Sequence, residues 1–204
     1  MAKSSKAWLH RHVSDLYVRQ ARAAGYRSRA AYKLLEIDRK DGLLKPGMRV
    51  LDLGAAPGGW SQVAAARTGP KGRVVAIDLL EIAPMSGVRV LRGDVRELQT
   101  RAALKEALGG TADLVLSDLA PNLSGIPGVD QARGAELAEL ALELAGETLK
   151  PTGAFLVKVF QGEAFAEVLG RIKQEFQAVS VRKPGASRGE SRETYLLARG
   201  LKPR

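Results

Sequence analysis

Cysteine is absent from the 204-residue chain. That excludes disulfides, thiolate zinc sites, cysteine-ligated iron–sulfur clusters and cysteine nucleophiles at once, and it suits the cytoplasm. Long apolar runs are missing too. The longest uncharged stretch, Leu53 to Ala66, is interrupted by Gly54, Pro57, Gly58 and Gly59, so it is too short and too broken for a membrane span. No apolar segment follows the N-terminus, so no secretory signal is expected. Aromatics are scarce, at 5% of the chain, yet Trp8, Tyr17, Tyr26 and Tyr32 all fall near its start.

Positive charge is abundant and uneven. The net charge is +10, with ten Lys/Arg against three acids in residues 1–40 and seven against two in residues 181–204. The middle of the chain holds fifteen against seventeen. Clustered cations attract phosphates and aromatic faces stack on unpaired bases, so single-stranded RNA is the expected partner. The competing reading is a solvated basic helix that aids solubility. Hydrophobic residues make up 45% of the chain, enough for one α/β domain with a full core.

Strand and helix patterns alternate. Strands are predicted at 48–53, 73–78, 88–92, 113–117, 153–160, 178–182 and 194–198. Helices are predicted at 28–40, with Ser28 as N-cap, and near 59–67, 97–108, 129–149 and 162–176. Turns are read at Gly69-Pro70-Lys71-Gly72 and Lys150-Pro151-Thr152-Gly153. This alternation implies an α/β fold: a Rossmann-like, mostly parallel seven-stranded sheet with one antiparallel strand and helices on both faces. The expected organisation is a basic N-terminal extension and helix over 1–40 for RNA docking, followed by one catalytic domain over 41–204.

The stretch "VLDLGAAPGGWSQVA", Val50 to Ala64, is a strand, a glycine-rich turn and a helix start, the recurring way an α/β sheet holds a nucleotide. Glycines there let the backbone turn sharply and let a ligand approach. The G-x-G-x-x-G fingerprint is absent, because the spacing is Gly54-x-x-x-Gly58-Gly59, and no phosphate-binding lysine comes after it. Asp52, Asp78 and Asp94 each sit at or near a strand end. Asp78 suits the two hydroxyls of a ribose, and Asp94 suits an adenine amine. Three acids favour a cationic ligand over a pyrophosphate, and S-adenosylmethionine carries a sulfonium and an ammonium. The cofactor set is therefore Asp52, Gly54, Gly58, Trp60, Asp78, Asp94 and Asp118. For each acid a strand or helix cap is the competing reading, and for Trp60 it is packing in the core.

The stretches "SRAAYKLLEID", "VLDLGAAPGGWSQVA", "AIDLL", "GDV", "LVLSDLAPNLSG", "FLVKVFQG" and "SRETYLLARG" span nearly the whole chain. In them the sequence resembles the FtsJ/RrmJ family of ribosomal RNA large-subunit ribose 2′-O-methyltransferases. The resemblance implies a Lys-Asp-Lys-Glu tetrad at Lys33, Asp118, Lys158 and Glu193. It also implies a uridine in the A-loop of 23S rRNA as substrate, in the assembled large subunit, and a monomeric cytoplasmic enzyme. Relatives that modify tRNA keep that substrate open, and a non-catalytic RNA-binding assembly factor is the reading from another class.

The residues themselves bear on the chemistry. Lys158 interrupts the apolar run Ala154 to Phe160, and lysine is almost never buried unpaired. The alternative is a strand-end lysine reaching water. Asp118 ends a strand at a crevice position. The next residues, Leu119-Ala120-Pro121-Asn122, do not match the D/N-P-P-Y/F motif of adenine amine methylation, and carbon-5 pyrimidine methylation normally needs a cysteine. An oxygen nucleophile remains. Glu193 and Lys33 would each be a surface charge if met alone. Leu123 to Gly128 reads either as a lip over the site or as an ordinary loop.

Overall fold

The computed structural model describes residues 16–122, 124–187 and 191–203. Trp8, in the basic extension, and Leu123, in the expected lip, lie outside them. Seven strands form one sheet: β1 (Arg49–Leu53), β2 (Arg73–Asp78), β3 (Val88–Arg92), β4 (Ala112–Ser117), β5 (Leu149–Phe160), β6 (Phe176–Arg182) and β7 (Glu193–Leu201). Their order is β3-β2-β1-β4-β5-β7-β6. Neighbours from β3 through β5 are parallel, whereas β7 runs antiparallel to both β5 and β6. The order reverses between β1 and β4, so the crevice for a ligand opens beyond their carboxyl ends.

The central strands are Val/Leu/Ile-rich and buried on both faces, as parallel strands covered by helices must be. Side chains alternate across the sheet. Leu51, Leu53, Val75, Ile77 and Phe155 enter one core with the helices Leu98–Leu108 (α4), Pro127–Thr148 (α5) and Phe165–Glu175 (α6). Val50, Val74, Leu114, Leu116 and Leu156 enter the other with the helices Ala30–Asp41 (α2) and Gly59–Thr68 (α3).

One helix is added and two local expectations are corrected. A short helix, Leu16–Ala23 (α1), precedes α2; only Val18 and Ala21 are buried in it, so its apolar signal is weak. Ser28 is not an N-cap. Helix α2 starts at Ala30 behind Arg29, which caps without a side-chain bond, and Ser28 Oγ fills the space beside Gly59. The Lys150–Gly153 turn lies inside β5. Ala112 pairs with Leu149 and Leu114 with Ala154, so β5 bulges there while Lys150 pairs with Asp113.

Candidate active site

Parallel strands offer their last residues to the crevice, whereas β7, being antiparallel, offers its first. The pairings Lys158↔Tyr195 and Phe160↔Glu193 bring the start of β7 to the carboxyl end of β5. Main-chain bonds tie the other ends together: Asp118 N–H donates to Leu53 (3.1 Å), and Gly54 and Ala55 N–H donate to Ile77 (3.0 and 3.1 Å). Residues far apart in sequence thereby meet at one edge of the sheet.

Lys158 is 7% exposed. Its Nζ donates to the Asp118 carbonyl at 2.7 Å and pairs with Asp118 Oδ1 at 3.0 Å. These two interactions leave one of the three positions at Nζ open for another group. Lys33 projects from α2 and pairs with Glu193 Oε1 at 2.6 Å. Between these pairs stands Tyr195, whose hydroxyl lies 2.9 Å from Glu193 Oε1 and 3.2 Å from Asp118 Oδ1. Its single proton can serve either carboxylate. Ser187 Oγ donates to Glu193 as well, at 3.0 Å. The four tetrad residues and Tyr195 thus form one connected array.

Electrostatics follow from this packing. Burial pushes the Glu193 carboxyl up, but the Lys33 charge and hydrogen bond, with Lys158 and Tyr195, hold it below its ordinary value. Burial, reinforced by the Asp118 and Glu193 charges, pushes Tyr195 well above its usual range. Tyr195 is therefore a neutral bridge and not a base. Sequence reasoning missed it because its aromatic ring reads as core, and it does pack there, 5.6 Å from the ring of Trp60.

The acids expected around the glycine turn are gathered in part. Asp52 is fully buried, with Oδ2 accepting from Ser61 Oγ at 2.5 Å and Oδ1 without a partner. Burial, with Asp118 and Asp78 nearby, raises its carboxyl to about 7 despite the Ser61 bond. Asp78 accepts Ala56 N–H at 2.9 Å and Leu80 N–H at 2.8 Å, which leaves lone pairs on both oxygens. Gly93 N–H donates to the Asp78 carbonyl, so Asp94 stands at the adjoining turn. Its carboxylate caps that turn, accepting Arg96 N–H at 2.9 Å and pairing with the Arg96 guanidinium at 3.3 Å.

One expectation changes here. The Trp60 ring is not in the crevice: it is 2% exposed in the core, and Nε1–H donates to the Ala30 carbonyl at 2.8 Å. What Trp60 can offer a ligand is its main-chain N–H, one of the first-turn amides that lack an intrahelical partner. The glycines are demanded first by the protein itself. Gly54 has φ +70°, and a Cβ there would meet the Leu119 main chain at 2.9 Å; Gly58 has φ +110°, and a Cβ there would strike Met85 and Arg27. Beyond Asp118, the Asp130 carboxylate accepts Ser124 N–H and Oγ–H (both 2.7 Å) and Gly125 N–H (3.1 Å). These bonds hold the Asp130 carboxyl below its ordinary value and brace the described part of the expected lip at the start of α5.

The sequence profile of the FtsJ-like methyltransferase family matches residues 26–201. A protein from Nitrosospira multiformis named ribosomal RNA large subunit methyltransferase E is 57% identical over 199 residues, 97% of each chain. A protein of the same name from Methylobacillus flagellatus is 55% identical over 98% of this chain and 97% of its own. Among solved structures, a ribosomal RNA methyltransferase from Plasmodium falciparum is 31% identical with a TM-score of 0.80, covering 88% of this chain and 100% of that one.

Proposed function

The chain belongs to the FtsJ-like methyltransferase family, and from that membership we propose that it methylates the ribose 2′-oxygen of a uridine in the A-loop of 23S rRNA, with S-adenosylmethionine as donor. The observation that carries this reading is the connected array Lys33–Glu193–Tyr195–Asp118–Lys158 at the switch point of the sheet. The names of the relatives supply the substrate, ribosomal RNA of the large subunit. The proposed setting is the assembled large subunit in the cytoplasm, with the enzyme acting as a monomer. No helix among the described residues is long and apolar enough to cross a membrane.

S-adenosylmethionine supplies an electrophilic methyl group on a sulfonium. The crevice fits such a cation: Asp52 Oδ1 is a buried acceptor without a donor, and Asp78 and Asp118 add carboxylates beside it. Asp78 would accept the ribose hydroxyls, Asp94 the adenine amine, and the Gly54–Trp60 turn would line the amino-acid end. Lys158 would then face the substrate 2′-hydroxyl with its remaining position and take the proton as general base. Asp118 fixes the Lys158 side chain from two sides. Glu193 and Tyr195 connect that pair to Lys33, on the helix next to the RNA-docking segment. In this division residues 1–40 dock RNA and 41–204 catalyse. It is a division of labour and not of packing, since α2 shares a core with β1 and α3.

The test is to map ribose methylation across rRNA and tRNA in cells with and without this protein. Loss of one uridine mark from large-subunit rRNA is expected, restored by the wild-type chain and not by Lys158→Ala. A tRNA mark lost instead would move the substrate, and no mark lost would leave the assembly-factor reading.

A further inference from the structure

Arg27 lies in the basic N-terminal segment, where its charge alone suggests a phosphate ligand. The structure gives its guanidinium other partners. Nη1 donates to the carbonyls of Pro57 (3.3 Å) and Ala83 (2.5 Å), and Nη2 donates to the carbonyl of Pro84 (2.8 Å). Pro57 belongs to the glycine turn after β1. Ala83 and Pro84 belong to the 79–87 loop after β2. These two loops carry the walls of the cofactor crevice, and Asp78 already joins them by accepting Ala56 N–H.

The main chain beneath Arg27 is held as firmly. Gln62, in the first turns of α3, accepts Arg27 N–H at 2.7 Å through Oε1 and donates to the Gly25 carbonyl at 3.1 Å through Nε2. The clamp also packs against Gly58, whose φ of +110° already favours glycine. A Cβ at Gly58 would come within 3.2 Å of Arg27 Cδ and would strike Met85 of the second loop.

We propose that Arg27 is a positioning residue that clasps the two loops framing the cofactor crevice, so that cofactor affinity depends on the N-terminal segment. A planar fork reaches the two loops with two separate nitrogens, whereas a lysine must serve both from one nitrogen on a differently shaped head. Donors committed to three carbonyls are also poorly placed to hold a phosphate. The inference rests on reading this crevice as the S-adenosylmethionine site.

The test uses the full-length chain without RNA, titrated with S-adenosylmethionine in a calorimeter. Arg27→Lys keeps the charge and removes the two-nitrogen fork. It should bind the cofactor about tenfold more weakly, the worth of one charge-assisted bond. Its KM for the cofactor should rise while kcat at saturating cofactor stays within about twofold, the pattern of lost uniform binding. RNA affinity measured without cofactor should not change. Arg27→Gln, which can serve one loop only, should match Arg27→Lys in cofactor binding, and it stands in if the lysine variant does not fold. Asp78→Ala is the control for the crevice. If Asp78→Ala weakens cofactor binding and both Arg27 variants bind as wild type, the clasp is overturned. Loss of RNA affinity with cofactor affinity intact overturns it too, in favour of a phosphate contact. If Asp78→Ala binds as wild type, the crevice reading beneath the proposal fails.

Discussion

Asp52 has one carboxylate oxygen on Ser61 and the other without a partner, in a position with no solvent exposure. Burial raises it to about 7 from an ordinary 3.8. Between those values the unfolded chain has released the proton that the folded chain keeps. The stability this group contributes is therefore complete below pH 3.8 and is lost as pH rises toward about 7. Asn keeps the shape and cannot ionise, so Asp52→Asn should lack this decline, and thermal melts of cofactor-free protein from about pH 5 to 8 measure it. A cation in the crevice favours the ionised form, so S-adenosylmethionine should bind wild type more tightly as pH rises through about 7, while Asp52→Asn binds weakly at every pH. Parallel melting curves for the two proteins would refute the assignment. Lys158 gives a second prediction at this scale. Arginine keeps the charge but cannot lose its proton, so Lys158→Arg should be nearly as slow as Lys158→Ala, by about 10²–10⁴. Both should still bind the cofactor. Single-turnover methyl transfer at saturating RNA and cofactor measures this, and a substantially active Lys158→Arg enzyme would leave Lys158 as an electrostatic element.

At the scale of elements, the turn after β1 does two jobs with one set of residues. Gly54 turns the chain in the left-handed region and lets Leu119 approach from beyond β4, which joins the proposed cofactor turn to the strand end that bears Asp118. Gly54→Ala should cost about 1–2 kcal/mol for the backbone conformation alone, with the clash against the Leu119 main chain added. Cofactor affinity and Lys158-dependent rate should fall together, because one displacement moves both walls, and denaturant melts paired with cofactor titration measure this. The sequence is informative where one pattern dominates. All seven strands are legible from runs such as Val74–Ile77, whose burial on both faces needs only apolar residues. The tetrad positions come from the family resemblance, with Lys158 marked out by its apolar strand. Pairings between distant segments are not legible. Tyr195 looks like core because its ring is core, and only the pairing of β5 with β7 reveals where its hydroxyl goes. Arg27 looks like surface charge because carbonyl partners leave no trace in side-chain identity. Trp60 beside a glycine turn suggests a ligand contact, yet α2 packs over the ring and accepts its N–H.

At the scale of the molecule, charge is sorted by face. The groove between α5 and α6 is lined by Glu136, Glu139, Glu143 and Glu175 with Arg171 among them. The opposite side carries α1 and α2, and there Arg39, Lys40, Arg182 and Lys183 line a second groove with Glu36 among them and Arg182 paired to Asp41. On the proposed reading, a polyanion would be drawn to the basic groove and repelled by the acidic one, so that the basic face orients the RNA. Helix α1 extends the basic face: Val18 and Ala21 are buried, while Arg19 and Arg22 are exposed one turn apart. Arg11 carries the same charge but lies outside the described residues. Reversing Arg19 and Arg22 to Glu should therefore weaken RNA binding and make its salt dependence shallower, by about 0.7 in the log–log slope for each phosphate no longer neutralised on a single strand. S-adenosylmethionine affinity should stay at the wild-type value, because neither side chain takes part in the Arg27 clasp or the crevice. That contrast separates docking from the cofactor site: Arg27→Lys moves cofactor binding alone, and the reversal of Arg19 and Arg22 moves RNA binding alone. Filter binding at several salt concentrations, with the cofactor titrated in parallel, measures both. An unchanged slope in the reversed protein would mean that α1 presents only a solvated face and that RNA is held elsewhere on the basic side.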